Sequence, residues 1–131
     1  MKVLDTTFLI DYGRKVDATA EYLLEHTDER FVVPTPVLLE YLLGAVHSQK
    51  ETELTRVESE LSWVEVAEID RHTVRTAAAV ADEIEPQGPQ LTAVDAIVAG
   101  VGREVDGTVV SADNDLTHAA TRQVISIDNY R

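Results

Sequence analysis

Lys2-Val3-Leu4-Asp5-Thr6-Thr7-Phe8-Leu9-Ile10 decides how the rest of the chain is read. A short apolar strand ends in an acid, and two threonines then open an apolar helix. In an open α/β sheet, ligands bind outside the carboxyl ends of the strands, so Asp5 is placed to face a site rather than the core. Other segments carry acids in comparable positions. Glu40 follows Val32-Val33 and the corner Pro34-Thr35-Pro36, Asp95 interrupts the apolar run from Leu91 to Val101, and Asp113 and Asp115 follow the strand-like Thr108-Val109-Val110.

Working outward, the spacing predicts a helix from Thr6 to Tyr12, capped by a threonine and stopped at Gly13. A second helix is expected from Val16 to His26, with Val16, Ala20, Leu23 and Leu24 on its apolar face. Phe31-Val32-Val33 reads as a buried strand. Thr35-Pro36 starts a helix whose apolar face is Val37, Leu38, Tyr41, Leu42 and Ala45. A charged surface helix is expected from Lys50 to Leu61 and a strand from Trp63 to Val66. Asp70 caps a helix from Arg71 to Ile84, which Pro86-Gln87-Gly88-Pro89-Gln90 ends. Leu91-Thr92 opens a helix apolar nearly all round, expected to be central and buried. A strand (Thr108 to Val110), a short helix (Leu116 to Thr121) and a last strand (Val124 to Ile127) complete the pattern. Strands alternating with helices imply a mainly parallel sheet covered on both faces, a three-layer α/β/α arrangement. At this length, residues 1–131 are expected to form one domain.

There is no cysteine, which excludes disulfides and thiolate metal sites. No apolar run approaches the roughly 20 residues of a membrane-spanning helix, and the first residues lack a signal-peptide pattern, so a soluble, cytoplasmic protein without membrane contact is expected. With 24 acids against 11 bases the formal net charge is −13, and Lys2, Lys15 and Lys50 are the only lysines. Such a surface is poor at neutralising phosphates, the usual source of nucleic-acid affinity. High salt weakens that objection, because the Debye length falls to about 3 Å at 1 M. The acidic, lysine-poor composition hints at a halophilic source.

Each acid has a bland explanation. Asp5 suits a strand end accepting hydrogen bonds from Thr6 and Thr7, Glu40 an ordinary first helical turn, Asp113 and Asp115 a loop leading to a helix cap. Asp95 is harder to explain, since a carboxylate in an apolar helix is costly to bury without a partner. Brought together, these acids repel: two charges about 4 Å apart cost around 4 kcal/mol at an effective dielectric of 20. Either their pKa values rise or a cation neutralises them. An all-oxygen set, with no cysteine and no histidine pair, selects hard ions such as Mg²⁺ or Mn²⁺. His26, His47, His72 and His118 are scattered and receive no role.

With these residues in place, the chain resembles the PIN-domain ribonucleases, most closely the small VapC-type toxins of toxin–antitoxin pairs. Four segments carry the likeness: Val3 to Asp11, Pro34 to Glu40, Leu91 to Ala99, and Val110-Ser111-Ala112-Asp113-Asn114-Asp115-Leu116. Leu116 departs from the phenylalanine usual there. The resemblance implies a PIN-like fold and a metal-dependent endoribonuclease in which Asp5, Glu40, Asp95 and Asp113 hold one or two Mg²⁺ or Mn²⁺ ions. It implies auxiliary roles for Thr6, Ser111 and Asp115. It also implies RNA as substrate, a cognate antitoxin protein as partner and a homodimer. The antitoxin is expected on the surplus apolar surface of the early helices, including Tyr22, Leu39 and Leu43. The competing readings are a catalytically degenerate acidic α/β module that engages a protein partner, and a receiver-like phosphoryl-transfer domain. A receiver wants a paired acid after its first strand and a late lysine, and the last lysine here is Lys50.

Overall fold

The computed structural model describes residues 1–48 and 53–131. Residues 49–52, where the sequence predicts the start of a charged helix, lie outside the described residues. Among the described residues, the strands β1 (Lys2–Leu4), β2 (Phe31–Pro34), β3 (Glu65–Ala67), β4 (Thr108–Ser111) and β5 (Ile127–Asn129) form one all-parallel sheet in the order β3-β2-β1-β4-β5. The helices are α1 (Thr6–Gly13), α2 (Asp17–Glu25), α3 (Thr35–Ser48), α4 (Leu54–Ser59), α5 (Arg71–Ile84), α6 (Ala93–Glu104) and α7 (Ala119–Val124). The architecture is the three-layer α/β/α expected.

The first strand lies at the centre. Val3 pairs with Val32 on one side and Val109 on the other, and Val3 and Leu4 are fully buried. From β1 the chain winds outward to β2 and β3, then crosses back to β4. The winding therefore reverses between β1 and β4, and the crevice at their carboxyl ends is where such sheets bind ligands. The core around this centre includes Phe8, Leu9, Val33, Val37, Val80, Ile84, Val98 and Val110, with Leu116 fully buried beneath the loop after β4. Helices α5 and α6 approach so closely that a Cβ on Gly100 would lie 2.8 Å from the Ala77 backbone. Among the described residues no helix is long and apolar enough to cross a membrane.

Several local expectations are corrected. The cap of α1 is Asp5, not a threonine: its carboxylate accepts from the Phe8 amide at 3.1 Å. Gly13 does not stop that helix through backbone freedom. The left-handed residue is Lys15 (φ 60°), whereas Gly13 makes room for Tyr41, whose hydroxyl would lie 2.8 Å from an added Cβ. The face of α2 is set by Tyr22, which donates to Asp128 at 2.7 Å and meets Phe8 edge-on. That rotation buries Thr19 and Tyr22 and leaves Leu24 75% exposed, so Tyr22 is no surplus apolar surface; Leu39 and Leu43 are exposed as expected. The charged helix ends at Ser59 rather than Leu61, with Val57 buried inside it and Leu61 buried in the turn beyond. Strand β3 begins only at Glu65, because Trp63 turns its indole onto the Glu60 carbonyl and the Tyr12 hydroxyl. The final helix starts at Ala119, since Asp113 wraps the preceding turn and His118 caps the helix; the last strand is displaced with it. Helix α6 is fully buried only from Val98 to Gly102. Its first turns face the crevice.

Candidate active site

The site is built on four element ends. Asp5 is nearly fully buried, 2% exposed, at the end of β1. Its Oδ1 accepts from the Thr7 hydroxyl at 2.7 Å and the Phe8 amide at 3.1 Å, and its Oδ2 accepts from the Ser111 hydroxyl. Thr7 in turn accepts from the Ala112 amide at 3.1 Å, tying α1 to the loop after β4. Ser111 Oγ accepts from the Asp113 amide at 2.9 Å. Asp113 Oδ2 accepts the amides of Asp115 and Leu116, each at 3.0 Å, so the chain folds back and brings Asp115 alongside. Asp95 enters from the first turn of α6, whose Thr92 cap accepts the Asp95 amide at 3.3 Å. Glu40 is exposed on α3 and accepts from the Thr6 hydroxyl.

The tightest group is Asp95, Asp113 and Asp115, which each bring a carboxylate oxygen to within 4.8 Å of the others. Asp115, expected only in an auxiliary role, therefore stands in the closest trio. Asp5 lies behind it, linked through Ser111, and Glu40 lies to the side with Thr6. Among the described residues none of these five acids has an ion-pair partner. The electrostatics carry the mark of that isolation. Burial pushes the Asp95 carboxyl up to about 6, helped by the charges of Asp113, Asp5 and Asp115 and opposed by a hydrogen bond with Thr92. Burial also raises Asp5, with Asp113 adding to the effect, against the hydrogen bonds of Ser111, Thr7 and Phe8.

This donor set fits a hard divalent cation. It offers only oxygen, at spacings one ion can bridge, and among the described residues no side-chain cation pairs with it. Of the two threonines expected to donate to Asp5, only Thr7 does so, while Thr6 donates to Glu40 instead. The signal for Thr7 is the two-residue spacing from an acid at a helix start, the geometry of a local side-chain turn. Arg103 lies in the last turn of α6 and pairs with Glu83.

The chain is thus an all-parallel α/β/α domain with an acid cluster at the switch point of its sheet that could hold a metal ion. The PIN domain family profile matches residues 2–121, and the chain belongs to this family. No curated protein matches the sequence. Among solved structures, a toxin–antitoxin complex from Klebsiella pneumoniae is similar with a TM-score of 0.79 at 15% identity, covering 100% of this chain and 98% of that one. VapBC2 from Rickettsia felis, bound to a DNA fragment from its promoter, gives 0.80 at 16% identity, covering 99% and 98%. VapC20 of Mycobacterium tuberculosis, a sarcin–ricin loop cleaving toxin, gives 0.67 at 14% identity, covering 95% and 96%. At these identities the likeness is one of fold.

Proposed function

We propose that this PIN domain is a Mg²⁺- or Mn²⁺-dependent endoribonuclease acting in the cytoplasm as the toxin of a type II toxin–antitoxin pair. The observation that carries the reading is the convergence of Asp95, Asp113 and Asp115, with no ion-pair partner among the described residues, backed by Asp5 and flanked by Glu40. These five acids would hold the ion. The chemistry an ion supplies there is polarisation of a phosphodiester, acidification of water and neutralisation of a leaving oxygen. The protein's part is to hold the donors. Three donors fix both oxygens of Asp5, two amides fix one oxygen of Asp113, and Thr6 orients Glu40. Ligands held by such contacts need little reorganisation on binding.

Partners follow from the surface and the relatives. Leu39, Leu43 and Val46 recur at helical spacing on α3, 57%, 42% and 43% exposed, and supply an apolar row for an amphipathic antitoxin helix. A second copy of the chain completes the assembly as a homodimer. The whole described chain serves this one function as a single domain.

RNA cleavage measured with Mg²⁺, with Mn²⁺ and with chelator tests the reading. Cleavage that needs the cation and is silenced by the protein encoded next to it is the expected result. A chain that binds that neighbour but cleaves no RNA at any cation concentration is instead the degenerate binding module that the −13 charge favours.

A further inference from the structure

Asp11 is the other buried acid among the described residues, 4% exposed, and the proposed chemistry does not use it. Its Oδ2 accepts from the Tyr130 hydroxyl at 2.6 Å and from Arg131 Nε at 3.0 Å and Nη2 at 2.6 Å. The Tyr130 ring meets Phe8 edge-on, with centroids 4.9 Å apart. Thr7, Phe8 and Asp11 are spaced by three and four residues, so they share one face of α1. That face also carries both donors to Asp5 Oδ1. Since α1 has eight residues, little more than two turns, whatever fixes Asp11 fixes the rotation of the turn that grips Asp5.

We infer that Asp11, Tyr130 and Arg131 are positioning residues for the metal centre, clamping the far turn of α1 so that its near turn holds the Asp5 carboxylate in register with Asp113 and Asp95. The inference rests on the nuclease reading of that site. Residues that orient a ligand from one step away typically matter by 10- to 100-fold in metal affinity or activity. The Asp11–Arg131 contact is a forked one that lysine does not reproduce, and Tyr130 contributes a single hydroxyl whose loss leaves its ring against Phe8.

The test uses the full chain with Tyr130→Phe, Arg131→Ala and Arg131→Lys; the stronger Asp11→Asn is added where it folds. Mn²⁺ alone is titrated by calorimetry, and RNA cleavage is followed at saturating Mn²⁺ well below each melting temperature. For Tyr130→Phe the expected result is a Mn²⁺ affinity about 10-fold weaker and a lower kcat at unchanged KM. Arg131→Lys recovers only part of what Arg131→Ala loses. Variants that melt earlier but keep wild-type Mn²⁺ affinity and kcat overturn the inference, because the clamp is then merely structural. A wild-type chain that neither binds Mn²⁺ nor cleaves RNA overturns the nuclease reading, and this inference falls with it.

Discussion

Asp5 and Asp11 bracket the same short helix and are almost equally buried, yet their surroundings push them in opposite directions. At Asp11 burial acts to raise the carboxyl, but hydrogen bonds from Tyr130 and Arg131, with the charges of Arg131 and Arg14, outweigh it and hold the group below its usual range. At Asp5 the donors are neutral and the nearest charges are other acids, so burial wins and the carboxyl is raised. Among the described residues one buried acid has a cationic partner, and the other, with its neighbours, has none. A fold that could surround Asp11 with cationic and phenolic donors did not do so six residues earlier.

The largest expected effect breaks the site and spares the clamp. Asp95→Asn, and separately Asp5→Asn, should lower metal-dependent RNA cleavage by more than the roughly 100-fold typical of residues one step removed from a metal. Each should leave the metal-free chain as stable or more stable, since repulsion among the acids is relieved. Asp11→Asn should do the reverse to stability, costing about 2 kcal/mol for hydrogen bonds to a charged group. Full activity in Asp95→Asn would remove that residue from the site.

Smaller, and independent of any RNA, is the response of folding to the cation. A ligand that binds only the folded state stabilises it by about 2.7 kcal/mol at a hundred times its Kd. Scanning calorimetry in rising Mn²⁺ should therefore show Tm climbing by several degrees in the wild type and staying flat in Asp95→Asn. A wild-type melting point unmoved by millimolar Mn²⁺ would contradict the centre altogether.

The two acids also differ in how far the sequence discloses them. Asp5, Asp95 and Asp113 stand out because each breaks an apolar pattern at an element end, and their company follows from the strand–helix alternation. The limits of α5 are legible for a similar reason: Asp70 caps it, with its carboxylate 2.9 Å from the Thr73 amide, and prolines follow Ile84. Asp11 gives no such signal, because its partners lie 119 and 120 residues further along. The rotation of α2 escapes for the same reason, being set by Tyr22 on Asp128 across 106 residues. Short-range periodicity carries element type, and contacts made only after the sheet is assembled carry the rest. Asp115 is an intermediate case. It is visible as an acid, but its place in the trio depends on Asp113 accepting two backbone amides, which spacing alone does not dictate.

The smallest expected effect is the pH dependence of the metal-free chain, where the two kinds of acid should act with opposite sign. Asp95 has a folded pKa of about 6 against 3.8 without its surroundings, so between those values the folded state binds the extra proton. Its stabilising contribution is complete below the lower value and is lost as pH rises through the higher one. Asp11 is depressed, so its contribution is present above the ordinary carboxylate range and is lost as pH falls through its lowered value. Denaturant melts across this range should show stability declining from about pH 4 towards pH 6 on account of the site, and falling again at lower pH on account of the clamp together with Asp70, Asp128 and Glu65, whose carboxyls are also held low. Asp95→Asn should make the first limb shallower and leave the second, Asp11→Asn should make the second shallower and leave the first, and saturating Mn²⁺ should flatten the first without any substitution, because the cation takes the proton's place. Identical profiles for wild type and Asp95→Asn over the upper limb would mean that burial and the neighbouring acids do not raise the Asp95 carboxyl, and would remove the electrostatic support for the proposed metal centre.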